Sequence, residues 1–94
     1  MDRKNEAAVD GFLADVSREV AKAMEKFPQP NPTIAALVEE VGEASQAALH
    51  IREGKHDDWW KVWEEAVQVA AMACRLAVEG DPTVGAVPTE KNCT

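Results

Sequence analysis

The chain has no tyrosine, 5% aromatic residues and two cysteines, and each scarcity excludes something. Strands favour aromatic and β-branched side chains, so a sequence in which alanine, valine and glutamate prevail leans toward helix. Cys74 stands in an apolar stretch and Cys93 next to the last residue. They form neither a disulfide framework nor a zinc spacing, and read as a small core residue and a tail thiol. No apolar run nears the roughly 20 residues that a bilayer span needs, and the opening MDRKNEAAVD holds no apolar signal segment. A soluble, cytoplasmic protein without a membrane partner is expected. Basic residues are few, 10 against 17 acidic, for a formal charge of -7. That field repels polyanions, so duplex nucleic acid is not an expected partner. A nucleotide differs, because a divalent cation held by clustered carboxylates reverses the local sign.

With 94 residues the chain supports one core, and one domain is expected over residues 1–80, followed by a flexible tail over 81–94. Val9, Phe12, Leu13, Val16, Val20, Met24 and Phe27 keep the spacing of one helical stripe, predicting a first helix from about Asn5 to Phe27. Pro28, Pro30 and Pro32 stop it. Asn31 before Pro32 is a good helix start, predicting a second helix from Pro32 to about Glu53. Its core face would carry Ile34, Leu37, Val38, Val41, Ala44, Ala48 and Ile51, with Gly54 at the left-handed stop. Asp57 or Asp58 can cap a third helix from about Trp59 to Glu79 that ends at Gly80. Its expected stripe is Val62, Ala66, Val69, Ala70, Ala73, Leu76 and Ala77. The expected fold is therefore all-α, an antiparallel bundle of three main helices. Its Ala-rich faces are poorly covered in a monomer, so completion as a homodimer or homotetramer is expected.

At 100° per residue, Glu40 and Glu43 fall on the edge of the second helix's apolar face, while Glu39, Gln46 and Glu53 fall outside it. On the third helix the same geometry groups Lys61, Glu65, Gln68, Met72 and Arg75. If the two helices pack antiparallel, both pairs of oxygen-bearing side chains face one another. Three carboxylates and an amide carbonyl suit Mg²⁺, a hard cation that takes oxygen ligands. Strings of glutamate also line solvated helix edges, so pattern alone leaves both readings open.

The run NPTIAALVEEVGEASQAALH carries Glu39-Glu40-Val41-Gly42-Glu43, and EEAVQVAAMACRL carries Glu65-Ala66-Val67-Gln68. Together these resemble the paired motifs of the MazG-like nucleoside triphosphate pyrophosphohydrolases, Glu-Glu-x-x-Glu on one helix and Glu-x-x-Asp on the next. The likeness spans about Pro32 to Gly80. It implies that Glu40, Glu43 and Glu65 bind Mg²⁺, with Mn²⁺ as an alternative, and that Glu39 orients or activates the attacking water. Gln68 takes the fourth ligand position, where the family pattern has Asp. A neutral amide holds a cation less tightly and accepts no proton.

The resemblance further implies cleavage of a nucleoside triphosphate between its α and β phosphates, in the service of nucleotide-pool house-cleaning. The alternative is a catalytically weak or inactive helical module that binds nucleotide or serves in oligomeric interactions. Trp59, Trp60 and Trp63 open the third helix, near where the resemblance places the nucleotide. One of them, Trp59 among the candidates, can stack on a base, although packing is the commoner role. Lys55 and Lys61 are candidate phosphate contacts, and solvated lysines are commoner. Arg75 either clamps a phosphate or pairs with an acidic neighbour. His50 and His56 show no partner spacing and are given no direct role.

Overall fold

The computed structural model describes residues 1–89. It is all-helical, with α1 over Arg3–Lys26, α2 over Thr33–Arg52, α3 over Trp59–Glu79 and a 3-10 turn over Pro82–Val84. The helix limits lie within two residues of those the sequence predicts. Asp2 caps α1 by accepting from the Asn5 amide at 2.8 Å, and Asp58 caps α3 by accepting from the Trp60 amide at 3.0 Å. At the end of α2 the Lys55 amide donates to the His50 carbonyl and the Gly54 amide to that of Ile51. This is the paired closure of a Schellman motif, and it places Gly54 at φ 73°.

The start of α2 differs from expectation. Asn31 does not cap it: the cap position is Pro32, and no local side chain accepts from the first turn. Asn31 is held the other way round, its amide donating to the Gln29 side chain and its carbonyl accepting from the Thr33 amide and hydroxyl. The free Ile34 amide donates instead to Asp81 Oδ2 at 2.9 Å, from 47 residues along the chain. Asp81, 1% exposed, also accepts from the Thr83 amide and hydroxyl. These bonds, that from the Thr83 hydroxyl foremost, hold its carboxyl below the usual carboxylate range. The segment expected to be a flexible tail thus opens with a structured hook, closed by a bridge between Asp81 and Ala86. Residues 90–94, with Cys93, lie outside the described residues.

The centre of the fold is α3. Both α1 and α2 pack on it and not on each other, which leaves a cleft between them with α3 as its floor. The fully buried apolar residues are few and mostly small: Ala23, Ala47, Val67, Ala71 and Met72. On α3 this corrects the expected stripe. Val67, Ala71, Met72 and Arg75 are buried, whereas Ala73 and Ala77 are exposed. A helix flanked by two others buries the side facing both, which here includes the polar line through Arg75. On α2 the expected core face is only partly covered: Leu37, Ala44, Ala48 and Ile51 are half-buried, Ile34 and Val41 are exposed and Val38 is 67% exposed, while the buried Ala47 lies outside that face, on the side of Glu40 and Glu43.

Gly80 joins α3 to the hook at φ 74° and ψ -158°, a region essentially confined to glycine. A Cβ there would lie 2.3 Å from the Ala86 carbonyl oxygen. Gly80→Ala should therefore open the hook and weaken the cap on α2. The expected loss is about 2 kcal/mol or more, visible as a lowered thermal midpoint; an unchanged midpoint would show that the hook contributes nothing to stability.

Candidate metal centre

Three carboxylates meet where α2 and α3 pack. Ligand oxygens of Glu40, Glu43 and Glu65 all lie within 4.8 Å of one another. The periodicity explains the meeting: Glu40 and Glu43 are one turn apart on α2, and Glu65 lies on the α3 face that lines the cleft. Gln68, a turn beyond Glu65, lines the same cavity as Glu40. Glu39 is exposed on the outer side of α2. It still acts on the cluster through its charge, the weakest of the influences on Glu40.

Glu40 bears the electrostatic cost. Its pKa is pushed up from 4.5 to about 6, first by burial, then by the charges of Glu43 and Glu65 and by a hydrogen bond to Glu43 that requires a shared proton. When all three are ionised, Glu40 Oε2 is buried with no donor to accept from among the described residues. Lys61 gives partial relief, binding Glu65 at 2.9 Å, and its own pKa rises chiefly through that hydrogen bond. An orphaned buried oxygen inside an all-oxygen, like-charged cluster suits a hard divalent cation, which would satisfy the oxygen and remove the repulsion together. Glu40, Glu43 and Glu65 would hold it, with Gln68 beside them.

The other candidates divide. Lys61 reaches the cluster and lines a cavity of about 380 Å³ with Glu43, Glu65, His50 and His56. Lys55 is not brought there; it pairs with Glu53 at 3.1 Å on the surface. Trp59 is exposed and lines none of the cavities around the cluster. Its neighbours Trp60 and Trp63 do: they stack at 6.0 Å, and Trp63 Nε1 donates to Asp15 Oδ2 at 2.8 Å across the α1–α3 contact. Both line a cavity of about 540 Å³ that reaches Glu65 and Gln68. Arg75 takes the pairing role. It is wholly buried and donates from Nε to Glu79 Oε1 at 2.6 Å, with its other nitrogens on the carbonyls of Ala23 and Phe27. As placed, its guanidinium is committed to holding α1, which corrects the phosphate-clamp reading.

The sequence reading also gave the histidines no partner, yet their ring centroids lie 5.8 Å apart. The bend after α2 returns His56 toward His50, and the only sign of it in the sequence was Gly54. No protein-family model, curated protein or solved structure matches the chain.

The sign of the pH dependence follows from the raised pKa of Glu40. Between about pH 4.5 and 6 the native state binds more protons than the unfolded chain, so metal-free stability falls as pH rises through this window. Glu40→Gln should flatten that fall and leave the apo protein more stable at pH 7, by about 1 kcal/mol once solvent screening is allowed for. Metal-free melting from pH 4.5 to 7.5 checks this, and a large loss of apo stability in the variant would mark Glu40 as a structural residue.

Proposed function

We propose that the chain is a Mg²⁺-dependent nucleoside triphosphate pyrophosphohydrolase of MazG-like type, acting in the cytoplasm on the nucleotide pool. The observation that carries this reading is the convergence of Glu40, Glu43 and Glu65 from two helices into one oxygen cluster. These are the ligands that the paired motifs imply. Glu40, Glu43 and Glu65 would hold Mg²⁺, or Mn²⁺ in its place, which when bound would supply Lewis-acid activation of the phosphate and of a water.

The remaining work falls to side chains of the protein. By the resemblance the proton of the attacking water would go to a carboxylate oxygen of Glu39, whose charge is felt at Glu40. The new bond forms between that water oxygen and the α phosphorus, the α–β bridging bond breaks, and monophosphate and pyrophosphate leave. Lys61 steadies Glu65 through its ion pair. Gln68 offers a neutral oxygen and moves no proton.

Gln68 also supports a second reading, a module that binds nucleotide with little or no turnover. The two readings part in one experiment. Pyrophosphate release across a panel of nucleoside triphosphates with Mg²⁺ should detect activity, and Gln68→Asp should raise both Mg²⁺ affinity and turnover while lowering apo stability through added like charge. Absent activity in both proteins, with nucleotide still bound, would leave the module. Unchanged metal affinity and unchanged apo stability in Gln68→Asp would remove Gln68 from the site.

The exposed line Ile34, Val38, Val41 and Leu49 on α2 supports a homodimer or a dimer of dimers, since a monomer this size buries little else. Light scattering at micromolar concentration should give a mass of at least two chains. A stable monomer would overturn this part of the proposal.

A further inference from the structure

The basic side chains around the cleft fall into two groups. Arg18 pairs with Asp15, Lys61 with Glu65 and Arg75 with Glu79. Lys22 and Lys26 on α1 have no ion-pair partner among the described residues. Both line a cavity of about 410 Å³ that also includes Glu40 and Gln68. Lys22 extends further, lining the adjoining cavity that reaches Glu65.

Their spacing is informative. Residues four apart on a helix lie one above the other, and like charges so placed repel. A nearby carboxylate would ordinarily offset this. Glu19, one turn before Lys22, lines the same cavity but forms no ion pair with it. Lys26 is steadied by the ring of Phe27, whose centroid lies 5.4 Å from its ammonium nitrogen. Two unpaired cations thus border a cavity whose other side carries Glu40. Both ammonium groups are exposed and free to meet an anion, and it is one that a metal-loaded Glu40 side of the cleft would attract as well.

We infer that Lys22 and Lys26 are the phosphate-binding residues of the α1 wall, and that the cleft takes a polyphosphate chain between these two ammonium groups and the carboxylate-held cation opposite. This rests on the reading of Glu40, Glu43 and Glu65 as metal ligands. It gives a binding role to α1, which carries no part of the motif pair. Lysine fits the task because a compact point charge on a flexible stem can follow phosphate oxygens without fixed bidentate geometry.

Calorimetry with inorganic tripolyphosphate and Mg²⁺ tests it. Lys22→Gln with Lys26→Gln should keep the wild-type melting temperature and bind Mg²⁺ alone at least as tightly as wild type. Its tripolyphosphate affinity in the presence of Mg²⁺ should fall about tenfold or more, the scale of lost charge-assisted contacts. A charge-matched control, Arg3→Gln with Lys4→Gln at the exposed start of α1, should bind as wild type does. A tripolyphosphate affinity that is unchanged, or that falls equally in the control, overturns the inference while leaving the metal site standing. If wild type takes up no Mg²⁺, the metal-site reading fails and this inference fails with it.

Discussion

A fully buried guanidinium fixes the geometry on which the site depends. At the end of α1 Arg75 donates to two carbonyls, that of Ala23, which also accepts from the Phe27 amide, at 3.3 Å and that of the cap residue Phe27 at 2.7 Å. A positive charge at that end also opposes the helix dipole. Glu79 accepts from Nε, so the buried charge is both paired and hydrogen-bonded, the condition under which burial is tolerated. At the start of α2 the complementary device appears, with the Asp81 carboxylate on the Ile34 amide. A cation therefore sits at the negative end of one helix and an anion at the positive end of the next, each supplied from α3 or just beyond it. The apolar core is too small to set the angle between α1 and α2 by shape, so these polar contacts set it.

The cleft follows from that arrangement. With α1 and α2 each fastened to α3 and not to one another, the part of α3 through Glu65 and Gln68 stays open as a floor, while Arg75 further along is buried. Three carboxylates can meet there only because stability comes from elsewhere. Glu40, with its pKa near 6 and an oxygen lacking a donor, is the local cost of holding them together. Functional clusters commonly lower the stability of the fold that holds them.

What was legible in the sequence was whatever local chemistry decides. The helices announced themselves by period, the cap of α3 as Asp57 or Asp58 by position before the apolar repeat, and Gly54 and Gly80 as helix stops. Glu40, Glu43 and Glu65 could be placed on facing edges because helical geometry is fixed at 100° per residue. What stayed hidden is long-range. Nothing near Asn31 says that its capping task passes to Asp81, and nothing near Arg75 says that its partners are carbonyls of α1. Trp59 and Trp60 are neighbours in sequence and both exposed, yet a 100° turn brings only Trp60 onto the wall of the cavity beside Trp63. The buried face of α3 was misjudged because hydrophobicity locates a core only when the core is apolar, and this one is built partly from a polar line.

The balance of charge gives Gln68 a physical meaning. The chain carries a net charge of -7, and among the described residues the carboxylate cluster has one direct counter-ion, Lys61 on Glu65. A fourth carboxylate at residue 68 would face Glu40 across the same cavity and push its pKa higher still, deepening the deficit of the metal-free protein. A neutral amide avoids that cost and keeps an oxygen available, but it reduces the negative charge that retains a cation. The unpaired lysines of α1 shift the balance in the same direction, since positive charge near the cluster also weakens its hold on a free cation. Both features favour a site in which cation and anion stabilise one another, because each supplies the charge that the other's wall of the cleft lacks. On the proposed reading, metal and polyphosphate binding would be coupled, and by linkage each would strengthen the other to the same degree.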